Sequence, residues 1–144
     1  MENLEQVLEN WKRDSEIDQT EPGKELIRIP ILHNKYLTIL TKHKIATKKA
    51  HFDYLRMRKI KWEYYTGKMS QEQLEEYGWE PFQFTLKAEV ATYLDSDTDL
   101  IKLQEKKVYH EEVVSALESI MGELKQRTWQ IRDFIQWEKF IGGQ

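Results

Sequence analysis

The lysines and arginines between residues 33 and 68 are the side chains of this sequence best suited to binding chemistry. The window holds ten basic residues against two acidic ones, Asp53 and Glu63, a formal charge of +8 in a chain whose total is −3. A concentration of one sign attracts polyanions whatever the net charge is. Four of the cations follow at seven-residue steps, so they share one side of a helix: Lys35, Lys42, Lys49 and Arg56.

No motif for catalysis or cofactor binding accompanies these cations. The sequence lacks a phosphate-binding glycine loop, GxGxxG, GxSxG, and any histidine and acid cluster at metal-ligand spacing. His43 falls on an apolar helix face, where a hydrogen-bonded packing role is predicted. His110 precedes two glutamates, a spacing that does not bring two ligands to one helix face. We therefore predict a non-enzymatic protein without metal or cofactor.

A long helix is predicted to position the cations. Apolar residues recur at steps of three and four over 32–64, and Pro30 suits the first turn of such a helix. Lys61 differs from the other basic residues, because helical projection places it close to the apolar stripe. The Pro22-Gly23 pair is expected to form a turn that separates this helix from a short amphipathic helix over 3–15.

The middle of the chain is predicted to form short helices. Ser70 is a good N-cap for a helical turn that stops at Gly78, and another short helix is expected near 86–94. A strand over 82–86 stays open as an alternative. The acidic cluster Asp95–Asp99 is rich in capping residues and favours the start of the helix that follows.

A second long helix is predicted over 100–141, with an apolar heptad pattern along it. So long an apolar face exceeds what a small monomer can bury, so self-association through this helix is expected. Trp129 and Trp137 lie away from the centre of the pattern. The residues assigned to the assembly seam are Val113, Val114, Leu117, Ile120, Met121, Leu124, Ile131 and Ile135.

Composition indicates one soluble, intracellular, all-α domain over residues 1–144. Hydrophobic residues make up 40% of the chain, which excludes a disordered protein, and the absence of cysteine excludes a disulfide scaffold. No signal peptide or membrane-spanning stretch is visible. The predicted segments are an N-terminal helix and turn (1–29), the long basic helix (30–67), short helices and loops (68–98) and a C-terminal assembly helix (99–141).

The residue pattern by itself favours binding of single-stranded nucleic acid. Solvated helices usually interleave charges of both signs, whereas this one is lopsided and flanked by aromatic residues, of which Trp62 and Tyr65 are candidates for stacking on bases. Two other readings stay open. One is a coiled-coil scaffold whose basic helix binds an acidic partner protein, and the other is a non-specific RNA-binding protein.

Four stretches of the sequence resemble the UvsY family of recombination mediators from large tailed phages. They are RMRKIKWEYYTGK, MSQEQL, LDSDTDLIKL and RDFIQWEKF, in the family's order. The most specific mark is a basic pair upstream of a Tyr-Tyr-Thr-Gly turn, here Lys59 and Lys61. A known member of the family has arginine at the second position, so Lys61 keeps the charge but loses the guanidinium fork.

The resemblance implies an all-helical protein that assembles into a closed homo-oligomeric ring of six or seven subunits. It further implies single-stranded DNA binding and loading of a phage RecA-like recombinase onto DNA covered by single-strand-binding protein, in the cytoplasm of an infected bacterium. Lys59 and Lys61 would contact phosphates, with Arg58, Arg56 and Lys49 as an electrostatic rim.

Overall fold

All regular structure in the described residues, 1–82 and 86–143, is helical in this computed structural model. The prediction of an all-α fold with two long helices and several short ones is confirmed for these residues. The strand considered at 82–86 falls mainly on residues outside the described ranges. The helices are α1 (Leu4–Asp14), α2 (Pro22–Tyr65), α3 (Gln71–Tyr77), α4 (Val90–Asp95), which follows a 3-10 turn at Lys87–Glu89, and α5 (Thr98–Ile141).

Local capping sets the starts of α1 and α3 and the end of α3. Asn3 at the start of α1 and Ser70 at the start of α3 each form a capping box, in which the cap side chain and a glutamine three residues later bond each other's backbone N–H. Gly78 ends α3 with a φ of 69°, a left-handed conformation that glycine adopts without steric penalty. The predicted start and stop of α3 are confirmed.

The start of α2 corrects the sequence prediction. The helix begins at Pro22, so Pro22-Gly23 forms its first turn and Pro30 lies inside it. A proline at the first helical position loses no hydrogen bond. The interior proline does lose one, but the turn before it is held by an ion pair between Arg28 and Asp14 at 3.3 Å, and the turn after it buries Leu32. Tertiary packing on both sides of Pro30 thus keeps the helix continuous despite the lost hydrogen bond.

The chain divides into two compact units, Met1–Ile45 with His110–Gln144, and Ala46–Tyr109. Both long helices contribute to both units, and the expectation of a single domain stays a prediction. In the first unit α1, α2 and α5 enclose one apolar core. Its buried residues are Val7, Leu32, Tyr36, Ile39, Leu40, Val113, Leu117, Ile120 and Leu124.

The residues predicted as an assembly seam lie largely inside this first unit. Five of them are between 0% and 4% exposed within one chain: Val113, Leu117, Ile120, Leu124 and Ile131. Val114 and Met121 pack against the same core, and Ile135 is half-buried. Apart from Ile135, these side chains are therefore core residues of the subunit. The apolar heptad pattern is satisfied by α1 and α2 of the same chain, which periodicity alone cannot distinguish from a second copy.

Polar contacts hold α1 against α2 and α5 within the first unit. The Arg127 guanidinium donates to the backbone carbonyls of Asp14 and Ser15, both at 2.9 Å. These bonds give two carbonyl groups at the C-terminal end of α1 the hydrogen-bond donors that the helix itself cannot supply. The Asp14 carboxylate accepts from Lys35 at 2.6 Å and from the Tyr36 hydroxyl at 2.8 Å. The N-terminal helix is thus an integral part of this unit.

His43 has the packing role that the sequence predicted. Its ring is 1% exposed, its Nδ1 lies 2.9 Å from Nδ1 of His110, and its Nε2 lies 2.7 Å from the backbone oxygen of Glu2. Both ring nitrogens are therefore used in hydrogen bonds within the first unit.

Candidate nucleic-acid interface

The part of α2 that lies in the second unit carries most of the predicted DNA-binding residues. Lys49, Arg56, Arg58 and Lys59 are all exposed there. Arg56 pairs with Asp53 at 3.2 Å, one turn before it, with its side chain 75% exposed, so this pair is weakly held. Lys49, Arg58 and Lys59 have no ion-pair partner among the described residues. Among the predicted DNA-binding residues on this surface, those three side chains therefore carry the unpaired positive charge.

Two of these cations share a shallow depression with an apolar and an aromatic side chain. Leu55, Arg58, Lys59 and Trp62 line it, at positions i, i+3, i+4 and i+7 of the helix. This spacing places all four on one helix face. Leu55 is 46% and Trp62 39% exposed, high values for large apolar side chains. The combination of cations with an exposed aromatic ring is the one that binds single strands, through phosphates and stacked bases.

Trp62 is partly covered by a cation. The Lys68 ammonium lies 4.3 Å from the centroid of its indole ring, an attractive arrangement for a positive charge over an aromatic face. Lys68 itself is exposed. Its charge therefore adds to this end of the basic surface, next to the ring predicted to stack on bases.

Lys61 is placed on the inner, buried side of α2. Its side chain is 8% exposed, and its ammonium lies 3.2 Å from Asp97 Oδ2 and 2.8 Å from Asp99 Oδ2. The ring of Trp79 covers it, with the ammonium 4.0 Å from the ring centroid. Two carboxylates and an indole face thus take up the ammonium group. Lys61 is not on the surface that carries Arg58 and Lys59.

Asp97, the partner of Lys61, also begins α5. One carboxylate oxygen accepts the backbone N–H of Leu100 at 3.0 Å, and the other accepts the Tyr65 hydroxyl at 2.6 Å. Burial alone would raise the pKa of Asp97. The hydrogen bonds from Tyr65 and Leu100 and the Lys61 ammonium outweigh burial and lower this pKa below its ordinary value. The carboxylate is thus held in its charged form.

Tyr65, predicted to stack on bases, is also placed inward. Its ring packs against Tyr64, Phe82 and Tyr93, with centroids 5.0–5.5 Å apart, and its hydroxyl is bonded to Asp97. Burial and the bond to Asp97 raise the pKa of Tyr65, which therefore stays protonated. The ring is part of the second unit's interior, beside Val90, Leu94 and Leu100.

The helix period contained the signal that separates these residues. Lys59 and Lys61 are two positions apart, so they point to nearly opposite sides of α2. The projection of Lys61 onto the apolar stripe was visible in the sequence, and so were the acids at 95–99. Their pairing was not, because they lie more than 30 residues away along the chain. Lys68 was counted in the basic window of the sequence but was not assigned to the DNA site.

No group of three or more histidines and acids suited to a metal ion occurs in the part of the chain that the structure describes. Within the same residues, no helix is both long and apolar enough to cross a bilayer.

A comparison with protein-family models identifies the family of this chain. The family model for the "recombination, repair and ssDNA binding protein UvsY" matches residues 10–144. The chain belongs to the UvsY family. The resemblance seen in the sequence is confirmed, and the family assigns the chain to recombination, repair and single-stranded DNA binding. No curated protein sequence matches the chain significantly.

Solved structures from the UvsY family agree with the fold. The chain is similar to the bacteriophage T4 recombination mediator protein UvsY in one crystal form (lattice type II), with a TM-score of 0.83 and 20% identity over 99% of each chain. A second form of that protein (lattice type IV) gives a TM-score of 0.80 and 21% identity, over 96% of this chain and 98% of the other. At such identity the likeness establishes the fold.

Proposed function

We propose that this protein is a recombination mediator that holds single-stranded DNA on the outward face of α2. The observation that carries the site is the depression of Leu55, Arg58, Lys59 and Trp62. There an exposed indole lies beside two exposed cations that form no ion pair with any residue the structure describes. Arg58 and Lys59 bind phosphates and Trp62 stacks on a base, while Lys49 and Arg56 attract the strand from further along the helix. No covalent chemistry is involved.

A mediator must hold single-stranded DNA while single-strand-binding protein releases it. We propose that the bound strand is handed from single-strand-binding protein to a RecA-like recombinase, in the cytoplasm of a phage-infected bacterium. One face of one helix offers few phosphate contacts, so a single subunit binds DNA weakly. Repetition of the face in a closed ring of subunits adds these contacts and gives tight binding that is still sensitive to salt.

An apolar surface at the end of α5 supports self-association. Within the first unit, Trp129, Trp137, Phe140 and Ile141 are between 57% and 75% exposed. The rings of Trp137 and Phe140 stack with centroids 5.8 Å apart. Exposed aromatic residues in such a group are typical of protein interfaces. We therefore move the proposed assembly contact from the buried seam to this C-terminal aromatic surface.

The DNA site is tested by the salt dependence of binding to an oligothymidine. Arg58→Ala with Lys59→Ala should weaken binding and flatten the slope of log K against log salt by about 0.7 for each phosphate that the variant no longer neutralises. Lys125→Ala, which removes an exposed charge from the first unit, is the matched control and should leave the slope unchanged. Wild-type affinity and slope in the double variant would refute the site.

The mediator role needs a second measurement with the same variants. On DNA covered by single-strand-binding protein, the wild-type chain should speed the onset of ATP hydrolysis by the recombinase. The double variant should not do so at equal concentration. If the wild-type chain binds DNA but does not change this onset, the chain is a DNA-binding protein without mediator activity.

A further inference from the structure

Lys61 is enclosed by groups that leave its ammonium no room for a phosphate. Its side chain is 8% exposed, and its ammonium group contacts the carboxylates of Asp97 and Asp99 and the ring of Trp79. One phosphodiester carries one negative charge, whereas the two carboxylates already present two. DNA therefore cannot compete for this ammonium without opening the inside of the second unit. A cation so held does not add to the electrostatic attraction of a strand.

The contacts of Lys61 instead tie two elements together. Asp97 caps α5 through the Leu100 N–H, and Asp99 lies in the first turn of that helix, where negative charge is favoured. Lys61 lies near the end of α2 and bonds both carboxylates. The ion-paired group thus fixes the end of α2 against the start of α5.

We propose that Lys61 is a positioning residue, and that its ion pairs with Asp97 and Asp99 hold Lys59 and Trp62 facing outward for DNA. Lys59 precedes Lys61 by two positions and Trp62 follows it by one, so a rotation of this turn moves both side chains. This inference rests on the proposed DNA site at Arg58 and Lys59. It goes beyond that site by assigning the neighbouring basic residue a role without DNA contact.

A positioning role and a phosphate-binding role of Lys61 predict opposite changes in DNA affinity when an acidic partner of Lys61 is neutralised. If Lys61 only positions the helix, Asp99→Asn loosens the link and weakens DNA binding. If Lys61 contacts phosphate, Asp99→Asn frees the ammonium, removes a repulsive charge and tightens binding. Asp99 suits this test because its side chain is 48% exposed, so the substitution leaves the fold intact.

The experiment measures oligothymidine binding of the full chain over a range of salt concentrations. Lys61→Met and Asp99→Asn should each weaken binding by roughly three- to tenfold with an unchanged log–log slope. Lys59→Ala should flatten the slope by about 0.7. The double variant Lys61→Met with Asp99→Asn should bind no more weakly than Lys61→Met alone, because both changes break one link. Lys61→Arg, which can span two carboxylates, should restore binding.

A destabilised control separates positioning from general loss of stability. Leu74→Ala removes a buried side chain from α3 in the same unit and should keep wild-type affinity at temperatures where the variant is folded. Equal weakening by Leu74→Ala would overturn the positioning role, as would a flatter slope in Lys61→Met or tighter binding in Asp99→Asn. If Lys59→Ala also leaves the slope unchanged, it is the proposed DNA site that fails. Asp99→Asn carries the test if Lys61→Met does not fold.

Discussion

Asp97 serves three neighbours at once, and its charge is therefore linked to folding. It accepts hydrogen bonds from the Tyr65 hydroxyl and the Leu100 N–H and pairs with the Lys61 ammonium, and its pKa is lowered. A carboxylate whose pKa is lowered by folding stabilises the folded state, and this contribution is complete when the pH is above the group's ordinary pKa near 4. This contribution is lost as the pH falls through the lowered folded-state value.

The resulting prediction concerns Asp97→Asn. At pH 7 the variant should lose about 1 to 3 kcal/mol of unfolding free energy, because a buried ion pair is broken while the amide still caps α5 in part. The difference from wild type should shrink below about pH 4. Urea unfolding at pH 7, 5 and 3 measures it. A difference that stays constant over this range would show that the charge of Asp97 does not contribute.

At the scale of elements, α2 contains a proline that its neighbours tolerate. Pro30 is exposed and sits in the ninth position of a 44-residue helix, where its missing N–H leaves the carbonyl four residues earlier without its helical partner. The helix continues because Arg28 is bound to α1 before the proline and Leu32 and Tyr36 are buried after it.

Pro30→Ala should therefore raise the unfolding free energy by about 1 to 3 kcal/mol, since it restores a hydrogen bond and removes a steric clash. Pro22→Ala is the matched control and should change little, because proline at the first helical position loses no bond. Urea midpoints compare the two variants. A loss of stability in Pro30→Ala would mean that the proline shapes a bend that the first unit requires.

The same scale decides the role of the heptad pattern in α5. Leu124 is 1% exposed inside the first unit, so Leu124→Ala should cost about 2 to 5 kcal/mol of unfolding free energy through reduced burial and the cavity that remains. Val108→Ala, at a position 51% exposed on the same helix, should cost far less. Chemical denaturation measures both, and similar losses at the two positions would contradict the core assignment.

At the scale of the whole molecule, assembly is proposed to make weak DNA contacts useful. The C-terminal aromatic surface groups large apolar side chains that are 57% to 75% exposed within the first unit. Trp137→Asp should reduce the oligomer mass in sedimentation, because burying a carboxylate at a subunit contact is costly. Leu8→Asp, at an α1 position 50% exposed, is the control and should keep the mass. An unchanged mass in Trp137→Asp would exclude this contact.

Loss of assembly should also separate two properties of DNA binding. A dissociated Trp137→Asp variant keeps Arg58 and Lys59, so it should bind DNA with much lower affinity and a smaller salt slope, as expected for one helix face alone. Tight binding by a monomeric variant would show that the ring is not needed for affinity. Titration of the variant at two salt concentrations distinguishes these outcomes.

The amino-acid sequence by itself determined the helical class, the ends of α3 at Ser70 and Gly78 and the family. These features depend on local capping, on periodicity and on short motifs, which are properties of neighbouring residues. The inner and outer faces of α2 were also readable, since a helix repeats every 3.6 residues. The concentration of positive charge on one helix needed only the order of residues.

Tertiary structure decided what each face meets. The apolar face of α5 packs on α1 and α2 of its own chain, because a heptad pattern states that a surface is buried but not by which partner. Lys61 pairs with acids that follow it by 36 and 38 residues, a contact that charge counting cannot foresee. Lys59 and Lys61 carry the same charge but lie in different surroundings. Burial and partners, rather than residue type, separate Lys59 from Lys61.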